Sequence, residues 1–532
     1  MELTIPAAVA GAARDFGDTT ALAEPGGPQL SYRQLHERVR AVARALIAAQ
    51  VRPGDRVAIW SPNTHHWVLG ALGALYAGAT LVPVSTRFTG PEALGVISRS
   101  GASTLIVAGR FLRTDRLAAL RRAEIAQNEA DGRSCLPNLR IVIGIPIEPG
   151  QAADEPGAAE PVIDWATLGD LGATVPARQA EERAAAVTPD DVSDILFTSG
   201  TTGRSKGAMS AHRQSLAVAR AWADCAGLTA ADRYLVVNPF FHSFGFKAGI
   251  LACLVSGATM VPQLAYDAGQ AMRLVEAERI TVLPGAPTVY QTILDHSDRA
   301  SLDLSSLRIA VTGAAVVPVA LVERMRRELG FDTVLTAYGL TEAVVATMCR
   351  PGDDPRTVAA TSGRAAADFE IRIAGPAGQS GEILLRGPNV MLGYLDDPAA
   401  TSAAVDADGW LHTGDIGVLD ARGYLTITDR LTDMYICGGF NVYPAEVEQV
   451  LARLDGIAES AVIGVPDARL GEVGKAYVVA RPGCDLDAAD VLAFCREHLA
   501  NYKIPRQVEF RDDLPRNPAG KPLKRLLRQE SR

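Results

Sequence analysis

The chain has 532 residues, which is too long for a single hydrophobic core and predicts two or more domains. Its formal net charge of −9 argues against nucleic acid as a general partner. Apolar residues make up 48% and charged residues 21%, an ordinary globular balance that leaves disorder to short segments. The seven cysteines are scattered without a C-x-x-C pair, and the eight histidines lack metal-ligand spacing, so we expect neither a disulfide framework nor a structural zinc site.

Short β-branched runs alternate with alanine-rich stretches as far as about residue 340. The periodicity predicts helices at Tyr32–Ala49 and Val322–Leu329. The longest uncharged apolar stretch, Trp67–Val84, contains three glycines and a proline, which predicts a buried helix followed by a strand rather than a membrane span. Predicted strands are Arg56–Trp60, Thr104–Val107, Ile141–Ile145, Tyr234–Val237, Thr281–Leu283 and Arg308–Val311. This alternation predicts an α/β fold with mainly parallel sheets covered by helices.

Two seven-residue stretches, Ala77–Pro83 and Ser256–Pro262, resemble each other, and each follows an apolar helix-like run. The glycine in each suits the left-handed position just after a helix. The pair predicts two similar doubly wound α/β subdomains, although a match of this length also arises by chance.

The composition and pattern of the sequence change at three places along the chain. Residues 148–191 are rich in Ala, Glu, Pro and Gly, which predicts a partly mobile surface insertion. Short alternating strands follow Thr361 and predict a small β-rich subdomain. Beyond Arg430 the pattern indicates helices and a hairpin, so we predict an N-terminal domain over 1–430 and a small, mobile α+β domain over 431–532. The N-terminus lacks a basic-then-apolar signal segment, and we expect a cytoplasmic protein.

The stretch Phe197–Gly207 holds three glycines, three threonines, two serines, an arginine and a lysine. It has no apolar face to bury, but it offers many N–H groups, hydroxyls and two cations, an inventory that suits a polyphosphate. The P-loop spacing G-x-x-x-x-G-K-[ST] does not occur in it. Composition alone favours a flexible surface loop, whereas the order of the residues favours a specific phosphate-binding loop.

Three further stretches, each at the end of a strand-like run, carry residues suited to binding. Asn238–Phe246 places aromatic side chains around His242, a suitable wall for a hydrophobic acyl group, although an aromatic core explains the phenylalanines about equally well. In Ala337–Glu342 a tyrosine can stack on a purine, a threonine can bond a phosphate and a carboxylate can bind Mg²⁺. The small residues of Thr312–Ala315 let a base approach the backbone.

Three polar positions are less distinctive by themselves. Asp415 ends Trp410–Asp415, where its carboxylate could hold two ribose hydroxyls. Arg430 follows a predicted strand, and Lys521 lies on a glycine turn. Taken singly, the first two fit ordinary turn charges and the lysine fits solvated surface.

Together and in this order, these stretches resemble the adenylate-forming superfamily of acyl-CoA synthetases, adenylation domains and luciferases over almost the whole chain. Within it, Ser61–Thr64, Asp191–Gly207, Asn238–His242 and Asp433–Glu448 resemble actinobacterial CoA ligases for the indanedione propanoate left from steroid rings C and D. The resemblance implies an acid:CoA ligase that forms AMP and pyrophosphate from ATP through an acyl-adenylate. It implies ATP, Mg²⁺, coenzyme A and a cyclic or aromatic carboxylic acid as cofactors and substrates, and a monomer or homodimer.

The resemblance also implies roles for particular residues. Lys521, Thr198, Glu342 and His242 would act in catalysis, and Glu342 would bind the metal. The chain would rotate at a hinge near Thr432, replacing Lys521 at the site by a pantetheine tunnel. The implied ATP- and CoA-binding residues are Ser199, Gly200, Thr201, Thr202, Lys206, Gly313, Ala314, Ala315, Tyr338, Gly339, Thr341, Asp415, Arg430, Gly438, Gly439 and Phe440.

The sequence departs from this pattern in two places. Thr432 stands where relatives often carry lysine, and Ala343–Ala346 stands where they tend to carry a polar, glycine-containing stretch. Because that segment borders the acyl pocket in the superfamily, its valines predict a narrower, drier pocket. Two alternatives stay open: a diazotase-type enzyme of secondary metabolism that passes ATP-activated nitrite to an aryl amine without CoA, and a non-catalytic nucleotide sensor.

Overall fold

The computed structural model describes residues 3–111, 114–146, 162–198, 205–313, 317, 319–376, 378–430, 433–437, 440–442, 444–467, 469–499, 501–516 and 521–531. Within these residues two large sheets, both mainly parallel, carry the N-terminal part of the chain. The nine-stranded sheet has, in spatial order, Arg364–Ala365, Ala343–Met348, Thr333–Leu340, Ile309–Gly313, Val282–Gly285, Arg233–Val236, Thr259–Pro262, Thr20–Ala23 and Gln29–Ser31. The eight-stranded sheet has Gly393–Tyr394, Lys206–Ala211, Val192–Thr198, Thr80–Pro83, Arg56–Trp60, Thr104–Ala108, Ile141–Ile145 and Val162–Asp164.

Helices cover both sheets, and polar caps fix where several of them begin. Ser31 and Gln34 form a capping box at the start of the second helix, and Thr64 accepts the Trp67 N–H at the start of the third. Such caps satisfy donors that the first turn leaves without a helical partner. The helices are Ile5–Phe16, Tyr32–Ala48, His65–Tyr76, Gly90–Ser100, Arg116–Asp131, Leu168–Ala173, Ala177–Ala186, His212–Ala226, Ser243–Gly245, Ala252–Ser256, Ala268–Glu278, Pro287–Leu294, Val319–Leu329, Pro355–Ala360, Pro398–Ala404, Pro444–Leu451, Ala488–His498 and Lys524–Glu530, with 3₁₀ turns at Trp165–Thr167 and Ser297–Ser301 and a π-helix at Phe246–Leu251.

Two smaller antiparallel sheets follow the α/β part. The first holds Glu370–Ile373, Gly381–Arg386, Leu411–Leu419 and Leu425–Arg430, which confirms the predicted β-rich subdomain. The second holds Phe440–Val442, Tyr435–Cys437, Gly471–Ala480 and Ile457–Asp467, with Gln507–Phe510 added parallel to Gly471–Ala480. A two-stranded pair, Arg110–Phe111 and Thr114–Asp115, lies apart from these sheets.

The repeated stretches have the predicted geometry. Gly78 and Gly257 both have a φ of 80°, the left-handed conformation in which glycine avoids a steric cost. Each glycine leads from a helix into a buried strand, Thr80–Pro83 in the eight-stranded sheet and Thr259–Pro262 in the nine-stranded one. The prediction of two similar α/β subdomains is thereby confirmed.

Part of the predicted surface insertion belongs to the core instead. Residues 147–161 lie outside the described residues. Beyond them Leu168, Val175 and Ala180 are buried in the main hydrophobic cluster. The Arg183 guanidinium donates to the carbonyls of Val51 and Ala77 at 3.1 and 3.3 Å. The prediction of a surface insertion was therefore wrong for residues 162–186, because helices Leu168–Ala173 and Ala177–Ala186 pack against helix Tyr32–Ala48.

The hydrophobic clusters divide the chain near the expected place. One cluster contains only residues between Tyr435 and Leu527, and the largest contains only residues between Ile5 and Ala366. The boundary at 430–431 stays a prediction, and the hinge at Thr432 lies outside the described residues. None of the helices in the described part of the chain combines the length and hydropathy that crossing a bilayer requires.

Candidate active site

The predicted phosphate loop leaves the eight-stranded sheet at the carboxyl end of strand Val192–Thr198. Thr198 pairs with Lys206 across the antiparallel ladder, and its hydroxyl lies 3.4 Å from the Lys206 carbonyl. The Arg99 side chain donates to the Ser205 hydroxyl at 2.7 Å and stacks over Phe197. The two ends of the loop are thus held together, as a loop that presents its N–H groups to a ligand requires. Several candidate residues lie outside the described ones: Ser199, Gly200, Thr201, Thr202, Ala314, Ala315, Gly438 and Gly439.

Tyr338 and Asp415 lie together although 77 positions separate them in the sequence. The Tyr338 hydroxyl donates to Asp415 Oδ2 at 2.7 Å, and both residues are buried. Strand Thr333–Leu340 supplies the tyrosine, and strand Leu411–Leu419 of the small sheet supplies the aspartate. A buried carboxylate is costly unless it is bonded, so this arrangement fixes an acidic group beside an aromatic ring.

Glu342 and Lys206 meet on a third side chain that the motifs did not reveal. The Tyr394 hydroxyl donates to Glu342 Oε1 at 2.7 Å, and the Lys206 ammonium lies 4.9 Å from the centre of the Tyr394 ring. Burial and the Glu342 charge raise the pKa of Tyr394 far above its usual range. The phenol therefore stays protonated and acts as a permanent donor.

Gly313 and Gly339 are needed by the packing of neighbouring strands. A Cβ on Gly313 would lie 2.3 Å from the Ala337 carbonyl oxygen, and one on Gly339 would lie 2.7 Å from the Val345 nitrogen. Neither distance is compatible with a side chain, so close backbone approach explains both glycines without a ligand. Their binding roles stay predictions, as does that of the half-buried Thr341.

Strand Ile309–Gly313 carries, just before its last residue, a hydroxyl without a partner among the described residues. Thr312 Oγ1 is fully buried there. Buried polar atoms are nearly always bonded in native proteins. Together with the paired Tyr338 and Asp415, this orphaned atom fits a polar ligand lying across the ends of the nine-stranded sheet.

The residues present also fit a magnesium ion. The described residues hold no group of three or more acidic, histidine or cysteine side chains in metal-binding arrangement. Mg²⁺ usually keeps several waters and is held by one or two carboxylates with substrate phosphates. Glu342, near the ends of the phosphate loop, suits that mode.

His242 caps the short helix Ser243–Gly245. Its Nδ1 accepts the Phe244 N–H at 3.2 Å, and burial lowers its pKa, so the ring is neutral at neutral pH with the proton on Nε2. Asn63 of the Ser61–Thr64 motif holds the same segment, since its Oδ1 accepts the Phe240 N–H at 2.8 Å and its Nδ2 donates to the Asn238 carbonyl at 3.0 Å. Phe240 and Phe246 are fully buried against Trp67.

A buried ion pair joins this segment to the strand that carries the phosphate loop. Lys247 Nζ lies 2.9 Å from Asp194 Oδ1 and donates to the Ser210 hydroxyl at 2.8 Å. Asp194 Oδ2 accepts from the hydroxyls of Ser193 and Ser215 at 2.7 Å each. Neither charged side chain is more than 2% exposed. Lys247 lies in the π-helix Phe246–Leu251, a form often found at functional sites.

The segment Ala343–Ala346, which differs from the pattern of the superfamily, contains a residue with an unusual backbone conformation. Val345 is buried with a φ of 56°, a left-handed conformation that is rare for a β-branched residue. It lies opposite Gly339, where the register between strands Thr333–Leu340 and Ala343–Met348 shifts. The stretch Ala343–Ala346 is buried throughout.

The remaining candidates lie in or near the C-terminal lobe, the part of the chain around the hydrophobic cluster between Tyr435 and Leu527. Arg430 ends strand Leu425–Arg430, where its backbone pairs with Asp415, and Phe440 begins strand Phe440–Val442. Lys521 is half-buried and directly precedes Pro522, which forms a bridge with Arg516 and is followed by helix Lys524–Glu530.

A candidate phosphate loop, a buried aromatic–carboxylate pair and a separate small C-terminal core fit a nucleotide-binding enzyme. The comparisons give its family. The model of the AMP-binding enzyme family matches residues 9–395, and that of the AMP-binding enzyme C-terminal domain matches residues 446–521. The chain belongs to the AMP-binding enzyme family. This confirms the adenylate-forming superfamily, the fold class and the use of ATP, Mg²⁺ and CoA that the sequence predicts.

Relatives align over nearly the full chain. A protein of Rhodococcus jostii named 3-[(3aS,4S,7aS)-7a-methyl-1,5-dioxo-octahydro-1H-inden-4-yl]propanoyl:CoA ligase is 60% identical, over 99% of both chains. A feruloyl-CoA synthase of an Amycolatopsis species is 39% identical over 95% of this chain and 94% of its own. The anthranilate CoA ligase AuaEII, solved with anthranoyl-AMP, superposes with a TM-score of 0.86 at 26% identity, covering 100% of this chain and 99% of that one.

Proposed function

We propose that this protein is an AMP-forming acid:CoA ligase whose acid is the bicyclic indanedione propanoate named for its actinobacterial relatives. The observation that carries the choice of acid is the 60% identity over 99% of both chains. A second relative with the same name, from Mycobacterium tuberculosis, is 58% identical over 99% of this chain and 98% of its own. The diazotase alternative is not favoured, because these relatives are named CoA ligases.

The first half-reaction joins the acid to the nucleotide. A carboxylate oxygen attacks the α-phosphorus of ATP, the bond to the β-phosphate breaks and pyrophosphate leaves. Asp415 would hold the ribose, Tyr338 the base, and Thr198 and Lys206 the phosphates, so that the reacting atoms are aligned. Glu342 would hold Mg²⁺, which when bound neutralises phosphate charge.

Two further side chains, one cationic and one neutral, would assist this step. Lys521 would neutralise charge that develops on the phosphates, where a preorganised cation lowers the barrier most. His242, neutral with its proton on Nε2, would offer a donor at the wall of the acyl pocket. Its pKa is lowered by burial, which keeps it in this form at neutral pH.

The second half-reaction transfers the acyl group. The CoA thiol loses its proton, its sulfur attacks the acyl carbonyl, and the bond to AMP breaks. A rotation of the C-terminal domain near Thr432 would withdraw Lys521 and let Gly438, Gly439 and Phe440 line the pantetheine path, which makes domain motion a gate between the two steps.

A panel of acids tests the proposal. Pyrophosphate release and thioester formation are measured with the indanedione propanoate, ferulate, benzoates and fatty acids, each with and without CoA, and with nitrite plus an aryl amine. We expect the indanedione acid to give the highest kcat/KM and its thioester only with CoA. Preference for another acid would contradict the proposed substrate. Turnover of nitrite without CoA would contradict the proposed reaction class.

A further inference from the structure

Tyr394 touches two groups of opposite charge that come from different sheets. Its hydroxyl bonds the Glu342 carboxylate at 2.7 Å and its ring faces the Lys206 ammonium at 4.9 Å. Glu342 follows strand Thr333–Leu340 of the nine-stranded sheet, and Lys206 begins strand Lys206–Ala211 of the eight-stranded sheet. One tyrosine therefore connects the end of the phosphate loop with the acidic candidate for metal binding.

The backbone around Tyr394 is fixed on both sides. The two-residue strand Gly393–Tyr394 pairs with Ala208 and Met209, and the Leu395 N–H donates to the Gly207 carbonyl at 2.8 Å. The Met391 N–H donates to the Glu342 carbonyl, also at 2.8 Å. The short segment is thus hydrogen-bonded both to the strand leaving the loop and to the turn that carries Glu342, which leaves the tyrosine little freedom to move away.

Glu342 and Lys206 are both half-buried, a setting in which solvent screens opposite charges weakly and they attract each other. Within the described part of the chain, however, no carboxylate pairs with Lys206, and no cation pairs with Glu342. The tyrosine satisfies each of them separately, the carboxylate with an O–H donor and the ammonium with the face of an aromatic ring. Both charges consequently remain available to a ligand that carries phosphates and a divalent cation.

We propose that Tyr394 is a positioning residue that holds the Glu342 carboxylate and the Lys206 ammonium apart and turned toward the magnesium-bound nucleotide. The inference rests on the proposed function, because it assigns the two charges to Mg²⁺ and to phosphates. It makes the Tyr394 hydroxyl important for the affinity of the enzyme for Mg²⁺ rather than for its fold.

Tyr394→Phe tests the hydroxyl while keeping the ring over Lys206. Binding of a non-hydrolysable ATP analogue is measured by calorimetry as Mg²⁺ is titrated. We expect the Mg²⁺ concentration at half-maximal binding to rise about tenfold, the effect of losing one bond to a charged group. Analogue binding without Mg²⁺ should change less than about twofold. An unchanged Mg²⁺ requirement would overturn the proposal.

Tyr424→Phe is a matched control. The Tyr424 hydroxyl also donates to a carboxylate, that of Asp353 at 2.6 Å. Tyr424 is buried whereas Tyr394 is half-buried, so the control removes a hydroxyl that water reaches no more easily. This variant should bind Mg²⁺ and analogue as the wild type does. A rise in its Mg²⁺ requirement equal to that of Tyr394→Phe would make the effect a general consequence of losing a tyrosine hydroxyl, and would also overturn the proposal.

A double-mutant cycle shows whether the hydroxyl acts through Glu342. Glu342→Gln alone should raise the Mg²⁺ requirement at least as much as Tyr394→Phe, and adding Tyr394→Phe to it should cause no further rise. Independent effects of the two changes would contradict the inference. So would an unaffected Glu342→Gln enzyme, which can be measured even if Tyr394→Phe does not fold. Wild-type protein without Mg²⁺-dependent binding would refute the proposed function itself, whereas normal wild-type binding with an unaltered Tyr394→Phe would refute only the role of Tyr394.

Discussion

Lys247 and Asp194 show at the scale of single residues how a buried charge depends on its partner. The carboxylate has the ammonium at 2.9 Å and two serine hydroxyls at 2.7 Å, so its desolvation is compensated. Removing the cation alone leaves a buried carboxylate with no opposite charge, a loss that is far larger than the net contribution of the pair. The pair also ties the strand before the phosphate loop to the segment after His242.

Lys247→Met is therefore expected to lower the free energy of unfolding by about 3–5 kcal/mol, measured by urea denaturation. Adding Asp194→Asn should restore part of this loss, because the uncompensated charge is gone. Arg33→Met, which breaks an exposed pair with Asp18, is the control and should cost less than about 1 kcal/mol. A similar small cost for Lys247→Met would mean that water reaches Asp194 in solution.

His212 makes stability depend on pH. Burial lowers its pKa from 6.5 to about 4, although Asp194 and Asp191 act in the opposite direction, and its Nδ1 accepts the Ile5 N–H at 3.2 Å. The folded state thus excludes a proton that the unfolded chain binds. Its contribution to stability is complete above pH 6.5 and is lost as the pH falls toward 4.

We expect this histidine to account for about 2 kcal/mol of the stability that is lost between pH 7 and pH 5. The measurement compares urea unfolding of the wild type and of His212→Gln, whose amide oxygen can still accept the Ile5 N–H, across that range. Between pH 7 and pH 5, the unfolding free energy of His212→Gln should fall by about 2 kcal/mol less than that of the wild type. Parallel pH profiles would show that His212 is hydrated in the folded state.

At the scale of elements, apolar runs in the sequence predicted the strands well. Whether a helix is buried or exposed depended on contacts with distant segments, which the local sequence does not show. Strands Arg56–Trp60 and Ile141–Ile145 have the predicted bounds because buried parallel strands are continuous apolar runs. Composition misled the prediction for 162–186, where Ala180 is buried under a helix more than a hundred residues earlier. We predicted a surface insertion there because the sequence of a short alanine-rich helix is similar whether the helix is exposed or packed.

The candidate site was predictable where a residue type implied a chemistry, as for Tyr338 and Asp415. Tyr394 was missed because a two-residue strand has no periodicity, and its partners come from two other elements. Lys247 did leave a signal that was overlooked, since it is the sole charged residue between Arg233 and Asp267. A lone charge in an apolar stretch of that length predicts a buried ion with a partner elsewhere.

Gly245 tests how tightly the turn after His242 is packed. A Cβ there would lie 2.1 Å from the Pro239 carbonyl oxygen, so Gly245→Ala must displace the turn that carries His242. We expect a loss of about 1–3 kcal/mol in unfolding free energy and a raised KM for the acid.

Gly95→Ala is the control. In helix Gly90–Ser100 a Cβ at this position meets no atom within 4 Å, and the change should stabilise the protein by about 0.5–1 kcal/mol. Equal effects of the two changes would contradict the close approach at Gly245.

The whole molecule combines a large and a small lobe, and in the part of the chain that the structure describes their hydrophobic clusters share no residue. The cluster around Tyr435–Leu527 has its own ion pairs, including Lys524 with Glu448 at 2.8 Å and Arg528 with Asp433 at 3.0 Å. Helix Pro444–Leu451 also packs on strand Leu425–Arg430 of the other lobe. A lobe that folds around its own core can change its position without losing that core, which is what a two-step reaction with an alternating active site requires.

Lys521→Ala should separate the two half-reactions. If Lys521 neutralises the phosphates only while the adenylate forms, pyrophosphate release should fall about 100- to 1,000-fold, the range for losing one preorganised charge at a transition state. Thioester formation from a pre-made adenylate should stay within about threefold of the wild type. Lys524→Ala, which removes a nearby lysine paired with Glu448, is the control and should leave both rates unchanged. Equal losses in the two half-reactions of Lys521→Ala would assign the lysine to the folding of the small lobe, and would remove the reason for proposing that the lobe moves between the steps.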